Sequence, residues 1–227
     1  MGITLGNISF DESVTSACER HEEIGGRNAR QIELNGLISG HSTAQVETAL
    51  DAILGAAADE ECMTPLCLRP GRQLLVRRVK FKRDVSRTGL TGSFMLLLEA
   101  QNPFEESVSE HVLTWSIESS GEELVLSGAG TAPSFPVISL LATRTLVGPS
   151  FGDGTRTISY SGTVDEGHTL VFDGVAGVVT LDGIDVTPYT SGLFPQVAAG
   201  EGLLRYADDA VSSHSGVAEV RFRDRWW

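Results

Sequence analysis

The sequence predicts a mainly β protein, with an N-terminal domain that contains a β-sheet or barrel and one helix, followed by a C-terminal β-sandwich. Three observations support this prediction. The 25 glycines are spread along 227 residues and indicate many turns, which favours short strands. Alternation of apolar and polar residues recurs along the chain, whereas one segment alone has the spacing of an amphipathic helix. Three Asp-Gly pairs mark tight hairpins, at residues 153–154, 173–174 and 182–183.

The composition is that of a folded, acidic protein. Hydrophobic residues make up 41% of the chain and charged residues 21%, a balance typical of globular proteins. The formal net charge of −13 argues against a protein that binds nucleic acid by neutralising its phosphates. The first residues do not resemble a signal peptide, and apolar runs such as FMLLL are strand-sized. We therefore expect folding in a cytoplasm and no membrane insertion.

The N-terminal domain is predicted over residues 1–130 and begins with two strand-like segments, GITLGNISF and RQIELNGLIS. One amphipathic helix follows in STAQVETALDAILG, where apolar residues recur on one face. Ser42 and Gln45 form a capping-box pattern at its start, and Gly55 is placed to end it. We expect this helix to pack on a sheet.

Strands resume after Pro65. In QLLVRRVKFKRDV the alternation changes phase near Arg77 and Arg78, which predicts a β-bulge or a sheet edge. The five basic residues between Arg77 and Arg83 form the strongest positive patch of the chain. Because the whole chain is acidic, we expect a solvated strand face or a subunit contact there rather than a nucleic-acid site. Further strand-like segments are GSFMLLLEA, EHVLTWSIES and EELVLSG.

The second domain is predicted over residues 131–227, after the Pro- and Gly-rich segment SGAGTAPSFPVI. Its short strands and turns predict an all-β sandwich or barrel. The last segment, AEVRFRDRWW, alternates apolar residues with three arginines, and Asp224 interrupts the apolar face. We expect this strand to complete a sheet. Its arginine face is predicted to meet an acidic neighbour, within the sandwich or across an interface.

No catalytic or cofactor site is predicted, because the G-x-S-x-G, Walker A and dinucleotide-binding patterns do not occur. The segment HEEIG at 21–25 lacks the second histidine of a zinc-protease helix and is interpreted as a charged surface turn. No metal site is predicted either. Five aspartates in predicted turns suit turn formation and do not follow calcium-loop spacing: Asp153, Asp165, Asp173, Asp182 and Asp185.

Cysteines and tryptophans leave alternatives open. Cys18, Cys62 and Cys67 lack zinc-site spacing and are interpreted as free thiols, with a Cys62–Cys67 disulfide as the alternative. Trp115 is expected to be buried. Trp226 and Trp227 are adjacent on a strand and must point in opposite directions, so at least one is expected at a surface as an interface anchor.

The order of these segments resembles the distal tail protein family of long-tailed, siphovirus-type phages and related tail-like particles. The segments that carry the resemblance are GRNARQIELNGLISG before the helix, GRQLLVRRVKF, FMLLLEAQNPF with its Pro103-Phe104 step, GTAPSFPVISL, VVTLDGIDVTPY and the closing VRFRDRWW. One departure is AAGEGLLRY, where the family often has Gly-x-Asn. Gly202 can adopt the conformation that an asparagine would support in a turn there.

The resemblance implies a ring-forming belt domain over residues 1–130 and a galectin-like β-sandwich over 131–227, in a structural virion protein without enzymatic activity. Six copies would form a ring at the distal end of the tail tube, with belt domains paired edge to edge and galectin-like domains projecting outward. The ring would link the tail tube protein to the tip or hub protein and the host-recognition apparatus, with the tape measure protein as a further partner. It would lie at the virion tail tip after assembly in the host cytoplasm. DNA would pass an acidic lumen without specific binding.

Two other functions remain open from the residues. A carbohydrate-binding module would use the sandwich to hold a host surface glycan, with Tyr189 and Trp227 as candidate stacking residues. A glycan-degrading enzyme would need two carboxylates across a cleft, and the many acidic residues do not single out such a pair.

Overall fold

The computed structural model describes residues 2–11, 13–24, 27–57 and 63–227. These ranges contain 22 strands, one α-helix and one short 3-10 helix, which confirms the predicted mainly β fold. The chain divides into two compact units, Met1–Val108 and Ser109–Trp227. No described helix is both long and apolar enough to cross a membrane.

The first unit is an antiparallel β structure that packs against one helix. Its strands follow the order β2-β1-β5-β6-β7-β4-β3, and β8 pairs with the first residues of β6. The elements are β1 (Thr4–Leu5), β2 (Ile8–Ser9), β3 (Thr15–Ile24), β4 (Arg27–Ser39), α1 (Thr43–Ala56), β5 (Thr64–Cys67), β6 (Arg72–Val85), β7 (Thr91–Ala100) and β8 (Glu105–Ser107).

Strand β6 belongs to two parts of this structure. Its residues 74–76 pair with β5, whereas residues 77–85 pair with β7. The register with β7 shifts between Arg78 and Lys80, so the predicted bulge is confirmed. Beyond this shift β6, β7, β4 and β3 form a four-stranded antiparallel sheet.

Helix α1 begins where the capping pattern predicts. The Ser42 hydroxyl accepts a hydrogen bond from the Gln45 amide at 3.3 Å, and the Gln45 side chain accepts one from the His41 amide at 2.8 Å. The prediction that Gly55 ends the helix is wrong, because the helix continues to Ala56. Gly55 keeps φ negative, and a single glycine costs too little to stop a helix whose apolar face is packed.

The core of the first unit lies between α1 and the sheets. Buried helix residues Val46, Leu50 and Ile53 belong to the same apolar cluster as Leu34 of β4 and Leu96 of β7. The helix is therefore fixed by burial of one apolar face, as its sequence pattern requires.

The segment HEEIG does not form the predicted turn. Residues 21–24 continue β3 and pair with β4, from His21 opposite Arg30 to Ile24 opposite Arg27. Gly25 lies outside the described residues. A strand at the edge of a sheet tolerates a run of charged residues because solvent reaches it, and this explains why the charge pattern was misleading.

The second unit is a β-sandwich. A sheet of order β10-β20-β13-β14-β19 and a sheet of order β18-β17-β16-β11-β21-β9 share one apolar core, and β12 pairs with β15. The elements are β9 (His111–Ile117), β10 (Glu123–Gly128), β11 (Val137–Ala142), β12 (Leu146–Val147), β13 (Ser150–Gly152), β14 (Thr157–Tyr160), β15 (Thr163–Val164), β16 (Thr169–Asp173), β17 (Val178–Leu181), β18 (Ile184–Asp185), η1 (Thr187–Tyr189), β19 (Thr190–Gly192), β20 (Gly200–Ala207), β21 (Gly216–Phe222) and β22 (Arg225–Trp226).

All three predicted Asp-Gly hairpins are confirmed. They connect β13 to β14, β16 to β17, and β17 to β18. In the last of these turns Asp182 has φ 48° and Gly183 has φ 81°. Two consecutive positive φ angles define the turn that best matches the twist of a hairpin, and Asp-Gly adopts them readily.

The division between the two units lies before β9. Strand β9 pairs with β21, and β10 pairs with β20, so the Pro- and Gly-rich segment near residue 130 lies within the second unit. In this segment Ala132 bridges Arg225 and Ser134 bridges Val197. The assignment of residues 1–130 and 131–227 to belt and galectin-like domains stays a prediction.

Candidate assembly surfaces

Two long strands of the first unit have an open edge in the described part of the chain. Strand β3 is ten residues long and pairs only with β4. Residues 80–85 of β6 pair only with β7. These edges form the two sides of the same four-stranded sheet. Long open edges are surfaces on which a strand of another chain can pair, so they are the candidate assembly surfaces of this unit.

The two edges carry opposite formal charge. Strand β3 contains three glutamates and one arginine, a net charge of −2. Residues 80–85 contain two lysines, one arginine and one aspartate, a net charge of +2. Edges with this difference attract each other and repel copies of themselves, which favours a head-to-tail contact over a symmetric one.

The arginines of the basic patch of β6 have acceptors in the first unit, whereas its lysines form no ion pair with a described residue. Its arginines have acceptors within the first unit: Glu99 at 2.9 Å for Arg77, the Leu54 carbonyl at 3.1 Å for Arg78, and Asp51 for Arg83. Lys80 and Lys82 are exposed and form no ion pair with a described residue. The patch is thus an exposed strand face, and its two lysines are available to an acidic partner.

A buried ionic cluster fixes the edge strand β3 to the rest of the first unit. Arg30 and Glu105 are each only 2% exposed. Arg30 Nη2 donates to Glu105 Oε1 at 3.1 Å and also to Glu19 of β3, while Arg30 Nη1 donates to the Pro103 carbonyl at 3.3 Å. Arg69 forms ion pairs with the carboxylates of both Glu19 and Glu105.

Sequence reasoning missed this cluster. Arg30 and Glu105 are 75 positions apart, and no local pattern identifies them as partners. The sequence did contain one signal. Arg30 is charged, yet it occupies one of the alternating positions of β4 whose other members, Ile32 and Leu34, are apolar and buried. Removing a partner from such a cluster leaves an uncompensated buried charge, so the cluster holds β3 in place.

A cavity of about 380 Å³ opens between α1, the start of β3 and the last residues of β4. Most of its lining is apolar and comes from α1 with Ala49 and Ile53, from β7 with Phe94, from Val14 just before β3, and from Leu37 near the end of β4. Val14 and Leu37 are exposed although they are apolar. Exposed apolar surface around a concave site is typical of a contact with another molecule.

The C-terminal arginines have acidic neighbours within the second unit. Arg221 Nε lies 3.4 Å from Glu219 Oε1, and Arg223 Nε lies 3.9 Å from Glu110 Oε1. This confirms the expectation of an acidic neighbour for two of the three arginines. Arg225 instead donates to the Pro133 carbonyl at 3.4 Å.

Asp224 divides the predicted C-terminal strand in two. Strand β21 ends at Phe222, and Asp224 is buried. Its Oδ1 accepts a hydrogen bond from the Ala129 amide at 2.8 Å, and its Oδ2 lies 3.0 Å from His111 Nε2. His111 also stacks on Phe222, with ring centroids 4.6 Å apart. A buried carboxylate needs such partners, and here they explain the break in alternation.

The turn aspartates act as hydrogen-bond acceptors. Burial tends to raise the pKa of Asp153, but hydrogen bonds from Gln196, Thr155 and Arg156 outweigh it and hold this pKa below its usual value. Asp173 and Asp185 accept from backbone amides two or three positions further along. No group of three potential metal ligands occurs among the described residues. These contacts are those of aspartates that stabilise turns.

Besides His111, two histidines of the second unit are paired with aspartates. The hydrogen bond to Asp182, followed by its charge, raises the pKa of His168 above its usual value. His214 Nδ1 lies 2.6 Å from Asp208 Oδ1, and the buried Tyr206 hydroxyl donates to Asp208 Oδ2 at 2.7 Å. Burial, assisted by Asp208, raises the pKa of Tyr206. The first pair lies at the surface, whereas the second satisfies the buried hydroxyl of Tyr206.

The aromatic candidates are distributed as expected. Trp115 is buried in the core of the second unit, and Trp226 is half-buried. Trp227 is 66% exposed and Tyr189, in η1, is 64% exposed. The prediction that one of the adjacent tryptophans reaches a surface is confirmed.

Cys18 is an exposed free thiol in β3, and Cys67 is a half-buried free thiol in β5. Cys62 lies outside the described residues. The interpretation as free thiols is therefore confirmed for two of the three cysteines.

The comparisons with known proteins identify this architecture. No family model matches the chain, and no curated protein matches it. Its structure is similar to the crystal structure of SPP1 Dit (gp 19.1), described as a paradigm of hub adsorption apparatus in phages that infect Gram-positive bacteria. The TM-score is 0.64 at 13% sequence identity, and the match covers 95% of this chain and 90% of the other. The chain thus has the fold of a distal tail protein, as the order of its segments predicted.

Proposed function

We propose that this chain is a structural, non-enzymatic protein of a phage tail, located in the adsorption apparatus at the tail tip. In this role six copies form a ring at the distal end of the tail tube. The ring links the tube protein to the tip or hub protein and contacts the tape measure protein. The fold supports this proposal because the likeness to a hub protein extends over both units rather than over one common domain.

The observation that carries the ring is the four-stranded sheet with its two open edges. Adjacent strands in it are antiparallel, so β3 and β6 run in opposite directions. A second copy in the same orientation then places its β6 antiparallel to β3 of the first. Since the number of strands is even, this arrangement repeats from copy to copy, and α1 stays on the same face of the extended sheet throughout.

Closure of the assembly into a ring removes its remaining open edges. A head-to-tail contact leaves one open edge at each end of any incomplete assembly, and a ring removes both. Burying both edges also prevents the uncontrolled strand pairing that long edges otherwise cause. The opposite charges of the two edges favour the β3–β6 contact over β3–β3 and β6–β6 contacts.

DNA passage is compatible with this assembly. The chain has a net charge of −13, so six copies present an acidic ring overall. Like charge removes the counterion-release gain that drives binding to phosphates. DNA therefore passes the proposed lumen without specific binding.

Light scattering of the purified protein at two ionic strengths tests the proposal. The monomer mass is 24.2 kDa, and a ring of six copies has a mass of roughly 145 kDa. We expect the ring at low salt and partial dissociation at high salt, because the edge charges are screened. A monomer at every concentration and ionic strength would contradict the ring.

Exposed aromatic residues favour carbohydrate binding as a second function. Tyr189 is exposed in η1, and its carbonyl accepts hydrogen bonds from both the amide and the hydroxyl of Ser161, which hold the segment in place. A rigid exposed aromatic ring suits stacking on a sugar. Binding of the full chain to a glycan array that is lost in Tyr189→Ala would support this function. An array without signal would exclude it for the glycans present.

A further inference from the structure

The mostly apolar cavity of the first unit has room for an aliphatic side chain. Phe10 and Phe94 pack with ring centroids 5.7 Å apart and form part of its wall. Helix α1 contributes Ala49 and Ala52, whose small side chains leave the space open. The volume of about 380 Å³ exceeds that of a leucine side chain, so one can enter without displacing the wall.

The position of the cavity relates it to the open edge of β3. Thr15, the first residue of β3, and Val14 immediately before it line the cavity. In the antiparallel pairing described above, the first residues of β3 lie beside the last residues of β6 in the neighbouring copy. Strand β6 ends at Val85 and continues into the β6–β7 turn, residues 86–90. That turn of the neighbour therefore lies at the mouth of the cavity.

Leu90 ends this turn and is 45% exposed, although leucine gains by burial. Hydrogen bonds hold the turn in one conformation. The Ser86 amide donates to the Thr91 carbonyl and the Gly89 amide to the Ser86 carbonyl, both at 2.8 Å. The Gly40 amide donates to the Leu90 carbonyl at 3.0 Å. A side chain presented by a fixed turn loses little conformational entropy when it docks.

We infer that Leu90 of one copy inserts into the cavity of the next copy, between α1, the start of β3 and the end of β4. This inference rests on the proposed ring and names a contact that fixes the alignment of its strands. Each copy gives one leucine and receives one, so all contacts around the ring are equivalent. The apolar insertion adds to the attraction between the charged edges, and salt weakens only the latter.

Two variants test the contact from its two sides. Leu90→Asp places a charge where the cavity is apolar, and Ala52→Phe fills the cavity from its own chain. Each is expected to raise the dissociation constant of the contact about tenfold to hundredfold, the effect of losing one buried leucine. The measurement is sedimentation velocity over a range of protein concentrations.

The controls separate this inference from the ring itself. Leu193→Asp changes an exposed leucine of the second unit and is expected to leave the ring intact. The double variant Leu90→Asp with Ala52→Phe should have the same dissociation constant as the single variant with the larger effect. Both substitutions remove the same contact, so their effects should not add. Thermal melting by circular dichroism identifies a variant that does not fold.

The outcomes are distinguishable. If the natural chain forms the ring and neither single variant weakens it, the leucine contact is wrong and the ring stands. If the two variants weaken it additively, they act at separate places and the inference is also wrong. If the natural chain remains a monomer throughout, both the ring and the contact are overturned.

Discussion

Arg30 and Glu105 are joined by a 3.1 Å ion pair in the interior of the first unit, 75 positions apart in the chain. The pair anchors the strand whose outer edge we propose for assembly, because Arg30 also binds Glu19 of β3. A change that weakens this ion pair is therefore expected to loosen β3 and also to weaken assembly through its edge.

Glu105→Ala is expected to destabilise the first unit by about 3 kcal/mol or more, because it leaves the buried Arg30 without its buried partner. Urea denaturation followed by circular dichroism measures this change. The matched control is Asp51→Ala, which breaks the exposed ion pair with Arg83 and should cost less than about 1 kcal/mol. Equal losses in both variants would contradict the special role of the buried cluster.

Lys82→Glu is expected to weaken association without changing the stability of the monomer. The side chain is exposed and has no described acidic partner, so its loss affects only contact with another copy. Light scattering at low ionic strength should show a lower mass than for the natural chain. Arg144→Glu, which makes the same charge change at an exposed site of the second unit, should have no such effect.

The stability of the second unit is expected to depend on pH because of His168. Its pKa is raised above the usual value of 6.5, chiefly by the hydrogen bond to Asp182, so this pair stabilises the fold below about pH 6.5. The contribution is lost as the pH rises through the raised pKa. Asp182→Asn keeps an acceptor for the Thr169 amide and tolerates the positive φ of the turn.

NMR titration of the histidine ring checks this prediction. In Asp182→Asn the pKa of His168 should fall towards its usual value. The melting temperature of the variant should also depend less on pH between pH 6 and 8 than that of the natural chain. An unchanged His168 pKa in the variant would show that Asp182 is not its partner in solution.

Ser42→Ala is expected to destabilise the first unit by about 1 kcal/mol, because the Gln45 amide loses its acceptor at the start of α1. Ser42→Asp supplies an acceptor and should preserve most of the stability. Chemical denaturation of both variants measures the difference. A loss of the same size in Ser42→Asp would show that the hydroxyl acts through some other contact.

Local features of this fold could be predicted from the sequence. The start of α1 depends on Ser42 and Gln45, which are three positions apart, and each hairpin depends on an adjacent Asp-Gly pair. The bulge in β6 was visible because a one-residue shift changes which side chains share a face. Such signals need no knowledge of distant strands.

Features that depend on distant pairing could not be predicted. Strand β9 pairs with β21 about 100 positions later, and no local pattern of the sequence identifies the two strands as partners. The cavity next to α1 requires Phe10, Leu37 and Phe94 to meet, and the ionic cluster requires Glu19 to meet Glu105. Hydrophobic periodicity specifies faces but does not specify partners.

The most direct test of the account is native mass spectrometry of the purified chain, because it counts the copies in each assembly. Head-to-tail pairing of the β3 and β6 edges with closure predicts one dominant species of six copies, near roughly 145 kDa. A ladder of increasing masses would show that the edges pair without closing. Monomer or symmetric dimer alone, near 24.2 kDa or twice that mass, would contradict the proposed pairing of the two edges.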